Sequence, residues 1–389
     1  MKKIGALVCS ICLVLGCSNE KEEEVSLHQD GIPFTVTVIL QDAEDSRFYQ
    51  VDLMGGDAEP SSAIDLTNAL DLDIDTRISN IYQDAVLFET DFGEDFDMTF
   101  LNVKSHTSHN IPNYLDAIGA PNGAILYGIS NNQTQLFSYY YNSDMASTSQ
   151  QLHIGRYDLN AGSYEEVVQY EYNPAAPDYP QISMGQSDTG ISASNKFFFI
   201  KYDKQDATGP AKQVLDIYDA NSLQKIKTFS FEPFFGCVQD ESDVLFLKVD
   251  EESNGYNELY DLKTGRSRVF NKMEGAQTLE IYGIGQTIIR DGKIGMATEL
   301  IMGPEPMIMD FNSNQYRYVE GGYISGALEN DLSRIEAWNI ELKNEIAVVA
   351  YSTKNTSTKE YGIAFVNFKG EVLYQTTLSR FLPKRIIIH

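Results

Sequence analysis

Side-chain oxygens next to turns supply the first candidate chemistry in this chain. Residues 257–265 read NELYDLKTG, so Asp261 stands between an alternating apolar segment and a glycine-containing turn. A carboxylate there can be a catalytic acid, a cation ligand or an acceptor for backbone N–H groups of the turn. The same pattern occurs seven times, marked by Asp52, Asn102, Asp158, Asp219, Asp261, Asp310 and Asn367. A catalytic acid is unique in its chain. A group that recurs, and that twice becomes Asn with the acceptor oxygen kept and the charge lost, is expected to pin hairpins.

Other constellations are weaker. Asp71, Asp73 and Asp75 alternate like the opening of an EF-hand loop, but Thr76 stands where glycine is needed and Tyr82 where glutamate is needed. His106 and His109 are three apart and His153 lies elsewhere, a set that suits zinc only if a turn or helix gathers a third ligand. No G-x-S-x-G, H-E-x-x-H or phosphate-cradling glycine loop occurs, so neither a metal nor a cofactor is expected. Aromatics are the more suggestive group. Tyr139, Tyr140 and Tyr141 are consecutive, and Tyr179, Tyr256, Tyr323 and Trp338 read as loop aromatics able to stack on a planar ligand or sugar. Most Tyr and Phe, including part of the tyrosine triplet, are expected to pack between strands. Lys201, Lys204, Arg266 and Arg268 could form a local basic patch.

The elements that must position these groups are strands. Each marker ends an apolar alternation and precedes turn residues, as in a hairpin. Before the markers lie apolar runs such as AVLFET (85–90), KFFFIKYD (196–203) and EIAVVAYST (345–353), and after them more polar runs such as YEEVVQYEY (164–172). RISNIY (77–82) and GAILYGI (123–129) read as further, innermost strands. A repeat of roughly 40 to 60 residues with several short strands is the signature of a β-propeller. The expected fold is all-β, a propeller of seven blades of four antiparallel strands, with six or eight blades or a two-domain sandwich as alternatives. Residues 385–389 of LPKRIIIH would complete the first blade and close the ring, hiding its edge. Segments 65–78 and 330–338 read as connections between blades.

The chain starts MKKIGALVCSICLVLGC, with Lys2 and Lys3, an apolar run to Leu15, and Gly16 before Cys17. This is a secretory leader too short to span a membrane. Val14 to Cys17 resembles the lipobox of bacterial lipoproteins, which implies cleavage after residue 16 and acylation of Cys17. Residues 17–32 form a polar, acidic stretch expected to be a flexible tether, followed by one propeller domain over 33–389. Glu20 and Glu22 to Glu24 resemble the surface-export signal of Bacteroidota lipoproteins, which implies the outer face of the outer membrane, with the periplasmic face as the alternative. Of four cysteines, Cys237 alone would remain unlipidated in the mature chain, expected as a buried small hydrophobe. A formal charge of −27 repels nucleic acid and anionic lipid, so the membrane link must be acyl.

A lipidated, surface-directed propeller resembles the Bacteroidota lipoproteins that capture ligands beside TonB-dependent transporters. The resemblance implies non-enzymatic binding of a small nutrient, an iron–siderophore complex included, and transfer to an outer-membrane transporter. It carries no binding residues with it. A protein-interaction scaffold and a propeller lyase or glycosidase acting from dispersed carboxylates are the alternatives.

Overall fold

Apolar alternation becomes sheet wherever both faces of a strand can be covered. The computed structural model describes residues 32–53, 63–73, 75–92, 95–142, 150–172, 180–181, 191–204, 212–231, 234–239, 244–249, 256–270, 289–300, 303–310, 312–313, 315–320, 324–328, 332–354 and 360–389. The leader, Cys17 and the acidic tether lie outside these residues.

The chain is an all-β propeller. Seven antiparallel sheets are found among the described residues. From the inner edge outward, the first sheet orders Phe381–Ile388, Val36–Asp42, Phe48–Leu53 and Ile64–Asp65. The second holds Thr76–Tyr82, Ala85–Phe92, Asp95–Asn102 and Thr107–Ile111, and the third Ala124–Asn131, Gln135–Asn142, Gln150–Asp158 and Ser163–Tyr172. In the fourth, Pro180–Gln181 and Ile191–Ala193 share the edge of Phe197–Lys204, which continues to Lys212–Asp219 and Lys225–Phe231. The fifth holds Phe234–Gln239, Val244–Val249, Tyr256–Asp261 and Ser267–Phe270. The sixth holds Ile289–Arg290, Lys293–Leu300, Gly303–Asp310 and Gln315–Arg317, and the seventh Leu332–Glu341, Ile346–Thr353, Tyr361–Asn367 and Val372–Ser379. First strands of adjacent sheets touch, as Thr76–Tyr82 touches Ala124–Asn131 and Leu332–Glu341 touches Phe381–Ile388, so these edges surround the ring centre.

The cores lie between sheets, and the period of two decides which neighbour each residue meets. Along Ile346–Thr353, Ile346, Val348 and Ala350 join a cluster with Val36, Val38 and Ile386 of the first sheet. Ala347, Val349 and Tyr351 face the other way, toward Ile308 of the sixth. Shared apolar clusters likewise join sheets one and two, two and three, three and four, and four and five. Both faces are therefore buried, which explains near-continuous apolar runs in the second and third strands. Glycine is required where a cross-strand tyrosine ring lies on the backbone. A Cβ on Gly128 would stand 2.4 Å from the Tyr139 ring, and one on Gly362 would stand 2.6 Å from that of Tyr351.

The seven marker residues fall at or one residue before the end of the third strand of each sheet. Asp261 Oδ1 accepts from the backbone N–H groups of Lys263 and Thr264, both at 2.9 Å. Asn102, Asp158, Asp219 and Asp310 make the same pair of bonds to residues two and three further on. Asn367 Oδ1 accepts from Lys369 and Glu371. Asp52 accepts instead from the Thr37 hydroxyl at 2.7 Å and the Gln50 amide at 3.1 Å.

Two expectations are corrected. Within the segment 330–338, residues 332–338 are not a connection: Leu332–Glu341 is the innermost strand of the seventh sheet. Its mixed composition concealed it, because two bulges interrupt the alternation. Trp338 is accordingly not a loop aromatic but is 1% exposed in the core between the sixth and seventh sheets. Segment 65–78 does contain a single helical turn, Leu66–Ala69, capped by Asp65, before the strand from Thr76.

Candidate functional site

The residues singled out for ligand binding do not converge. Tyr139 is 2% exposed and packs between the third and fourth sheets, so its apolar neighbours consume the ring that was a candidate for stacking. Tyr141 lies at the end of Gln135–Asn142, Lys201 and Lys204 on Phe197–Lys204, and Tyr256 at the start of Tyr256–Asp261. Tyr179 and Tyr323 lie outside the described residues. Arg266 is exposed in the turn that Asp261 pins, its N–H reaching Thr264 Oγ1 at 3.4 Å and its carbonyl accepting from Asp261 N. Cys237 is on the innermost strand Phe234–Gln239. His106 sits in a turn and His109 on the outermost strand Thr107–Ile111, its ring 6.1 Å from that of Phe100. Among the described residues no group of three His, Cys, Asp or Glu is placed to hold a metal ion.

A different set of residues gathers where the last strand closes the ring. Phe381–Ile388 pairs along Val36–Asp42 with a bulge between Arg385 and Pro383, which leaves Lys384 out of the ladder. On its other side runs Leu332–Glu341, where a second bulge leaves Glu336 unpaired. A bulge frees one residue and turns its side chain out of the regular alternation. Asn339 sets the relative level of the two strands. Its Nδ2 donates to the Ile386 carbonyl at 3.0 Å, and its Oδ1 accepts from Ile340 N at 2.8 Å. Glu336 lies three residues back from this bond on one strand and Lys384 two residues back on the other.

Lys384, Arg385 and Glu336 are half-buried, yet none forms an ion pair among the described residues. Several other cations of the described residues do find carboxylates. Arg47 pairs with Asp65, Arg77 with Glu89, Arg156 with Glu165, and Lys225 with buried Asp216. Lys293 and Arg317 share Glu345, and Arg380 bridges Asp42 and Glu44. Arg385 donates only to the neighbouring Lys384 carbonyl, at 2.7 Å. Burial holds its pKa below the ordinary guanidinium value. Burial also lowers that of Lys384, helped by the adjacent Arg385 charge and opposed by Glu336. The same carboxylate adds to burial in raising the Tyr361 hydroxyl. A desolvated charge without a counter-charge costs several kcal/mol, roughly, unless something completes it. The signal in the sequence was the dipeptide Lys384-Arg385 inside the closing strand LPKRIIIH.

At the opposite end of the same strand, His389 invites a catalytic reading that its partners refuse. Nδ1 is 2.6 Å from Asp84 Oδ1 and Nε2 is 2.8 Å from Thr37 Oγ1, an acid–imidazole–hydroxyl series. A nucleophilic hydroxyl must be free to give its proton to the imidazole and must be reachable. Thr37 is 2% exposed and donates to Asp52 Oδ1. The imidazole therefore donates to Thr37, and the series is a latch joining the first two sheets.

No family model matches the chain, and no curated protein matches it. Among solved structures, the acylaminoacyl peptidase of Pyrococcus horikoshii is similar over 90% of this chain and 52% of its own, at 12% identity and a TM-score of 0.50. A prolyl endopeptidase is similar over 90% of this chain and 50% of its own, at 9% identity and a TM-score of 0.49. A putative dipeptidyl aminopeptidase IV from Bacteroides ovatus covers 89% and 58%, at 11% and 0.47. The chain spans about half the length of the peptidases it matches first, and only their propeller domains correspond to it. Likeness at this identity shows the fold alone.

Proposed function

We propose that this chain is a non-enzymatic ligand-capture protein whose binding site is the centre of the ring beside the closing strand. The observation that supports it is that half-buried Lys384 and Glu336 stand on bulges of two adjoining innermost strands, with half-buried Arg385 next to Lys384, and none of the three forms an ion pair among the described residues. Charges kept desolvated and uncompensated are characteristic of sites whose missing partner is a ligand. They also answer the objection from net charge: the chain carries −27, but its cations at the ring centre are left free for an anionic group. The lipobox at Cys17 and the glutamates after it support display on the outer membrane through acyl chains, facing the exterior. In the specific version of this reading the ligand is a nutrient such as a ferric chelate, and a TonB-dependent transporter receives it. Seven sheets, and apolar clusters shared across six of the junctions between them, support a seven-bladed ring, the fifth-to-sixth junction lying outside the described residues.

The test is calorimetric titration of the detergent-solubilised acylated chain with ferric catecholates, ferric hydroxamates and short glycans, repeated with R385Q. Saturable binding that R385Q weakens is the expected result. If none of these ligands binds, and crosslinking in cells captures only other outer-membrane proteins, the scaffold reading replaces capture. Protease treatment of intact cells checks display, with loss of surface digestion expected in a Cys17→Ser variant.

A further inference from the structure

We infer that the latch at His389 is proton-operated: the imidazole carries both ring protons while the ring is shut, and loss of one of them loosens the junction between the first and second sheets. Three contacts run in series. Asp84 Oδ1 lies 2.6 Å from His389 Nδ1, His389 Nε2 lies 2.8 Å from Thr37 Oγ1, and Thr37 Oγ1 lies 2.7 Å from Asp52 Oδ1. At these separations each contact needs a proton between its two atoms. Thr37 has one to give, and it goes to Asp52, whose Oδ1 also accepts from the Gln50 amide at 3.1 Å, as an ionised carboxylate does. The other two contacts must then draw on the imidazole. A neutral ring has one N–H and leaves a lone pair facing an oxygen. The imidazolium has two and completes the series.

Burial alone opposes a charged imidazole, and the His389 side chain is only 8% exposed. The charges that face it act the other way. Asp84 stands in the turn between Thr76–Tyr82 and Ala85–Phe92 of the second sheet, and Asp52 lies behind Thr37 on Phe48–Leu53 of the first. On the closing strand, Arg385 is four residues back from His389, about 13 Å along an extended chain, too far to oppose them strongly. Without the second proton, two acceptors meet at hydrogen-bonding distance where water is excluded, so one contact must open. The strain falls on the closing strand, because His389 N donates to the Thr35 carbonyl at 3.0 Å and Ile387 packs in the cluster that joins the first two sheets. A folded state that binds one proton more than the unfolded one gains stability as pH falls and loses it as pH rises, here across the range in which histidine changes charge. The closing strand is therefore held most firmly in mildly acid conditions.

The experiment uses the full acylated chain in detergent, with its histidines labelled at the ring nitrogens for magnetic resonance. Two ring N–H signals from His389 are expected at about pH 7, identified by an Overhauser contact to the Thr37 methyl group. Hydrogen-exchange protection of residues 381–388, corrected for the intrinsic effect of pH, is expected to fall by up to about tenfold per pH unit as pH rises above 7. Asp84→Asn tests the proton count directly. Its side-chain amide can donate to Nδ1, so a neutral ring completes the series, and D84N is expected to hold the strand with no such slope. H389Q, which cannot titrate, is expected to lose about tenfold of the protection at pH 7 and to show no slope either. His153, which pairs with Glu166, is the same in every variant and cancels in the comparison. A single ring N–H on His389 at pH 7, with the other proton on Asp84, overturns the inference. So does a D84N slope equal to that of the parent, and both outcomes can be read even if H389Q does not fold.

Discussion

At the residue scale, the same chemistry serves structure in one place and is held in reserve in another. The turn carboxylates are fully committed. Hydrogen bonds from the Ser222 backbone N–H, against a smaller burial effect and with help from Asn221, hold the Asp219 carboxyl below its ordinary value of 3.8. A folded pKa below the unfolded one means stability that is complete above the unfolded value and lost as pH falls through the folded one. Wild type and Asp219→Asn should therefore differ in urea midpoint at neutral pH and converge in acid, below the ordinary aspartate range. Asp261 makes the same pair of bonds, and the Thr264 backbone N–H foremost holds its carboxyl below the ordinary value, so Asp261→Asn, which keeps the acceptor, should lower the melting temperature less than Asp261→Leu, which removes it. Lys384 and Arg385 are the reverse case. Because Arg385 is desolvated without a counter-charge, Arg385→Leu should stabilise the unliganded protein by ~1 kcal/mol in urea unfolding while abolishing ligand binding. A destabilised Arg385→Leu protein would mean that the guanidinium has a structural partner.

At the element scale, legibility in the sequence followed burial. Strands covered on both faces, such as Ile346–Thr353 and Phe197–Lys204, were readable from their apolar runs to within about two residues. So were the turn acceptors, because repetition separates them from a unique acid. The innermost strands were harder. Leu332–Glu341 alternates poorly because bulges shift its register, and the residue so released, Glu336, belongs to the candidate site. The bulge that hid the strand is also what sets Glu336 outside the ladder. Trp338 and Tyr139 were misplaced for a different reason: an aromatic side chain serves equally in a core and at a surface, and only the fold says which. Asn339 holds the two strands of the site at one level, and it is buried. Asn339→Leu should lower stability by about 1–3 kcal/mol, since it leaves the Ile386 carbonyl and the Ile340 N–H without partners. Hydrogen exchange should localise the effect to residues 381–388; protection unchanged there would show that the bond does not hold the closing strand.

At the scale of the whole molecule, the ring is held by polar bonds as well as by apolar clusters between sheets. Asn131 donates to Asn80 at 2.7 Å between the third and second sheets, Arg156 reaches the Ala220 carbonyl at 2.9 Å between the third and fourth, and Lys293 meets Glu345 between the sixth and seventh. Removing residues 381–389 should expose the inner edge of Val36–Asp42 and produce concentration-dependent association, readable by light scattering. A truncated chain that stays monomeric would show that the first sheet does not need its last strand. That strand also imposes an order in time. Thr37 and His389 touch although they are 352 positions apart, so Val36–Asp42 acquires its inner partner only after the intervening sheets have been synthesised. Ribosomal emergence cannot complete this molecule sheet by sheet. Ring closure joins strands of large sequence separation, and such contacts form slowly. On the capture reading, a chain cut short before residue 381 lacks the binding groups of that strand and takes up no ligand.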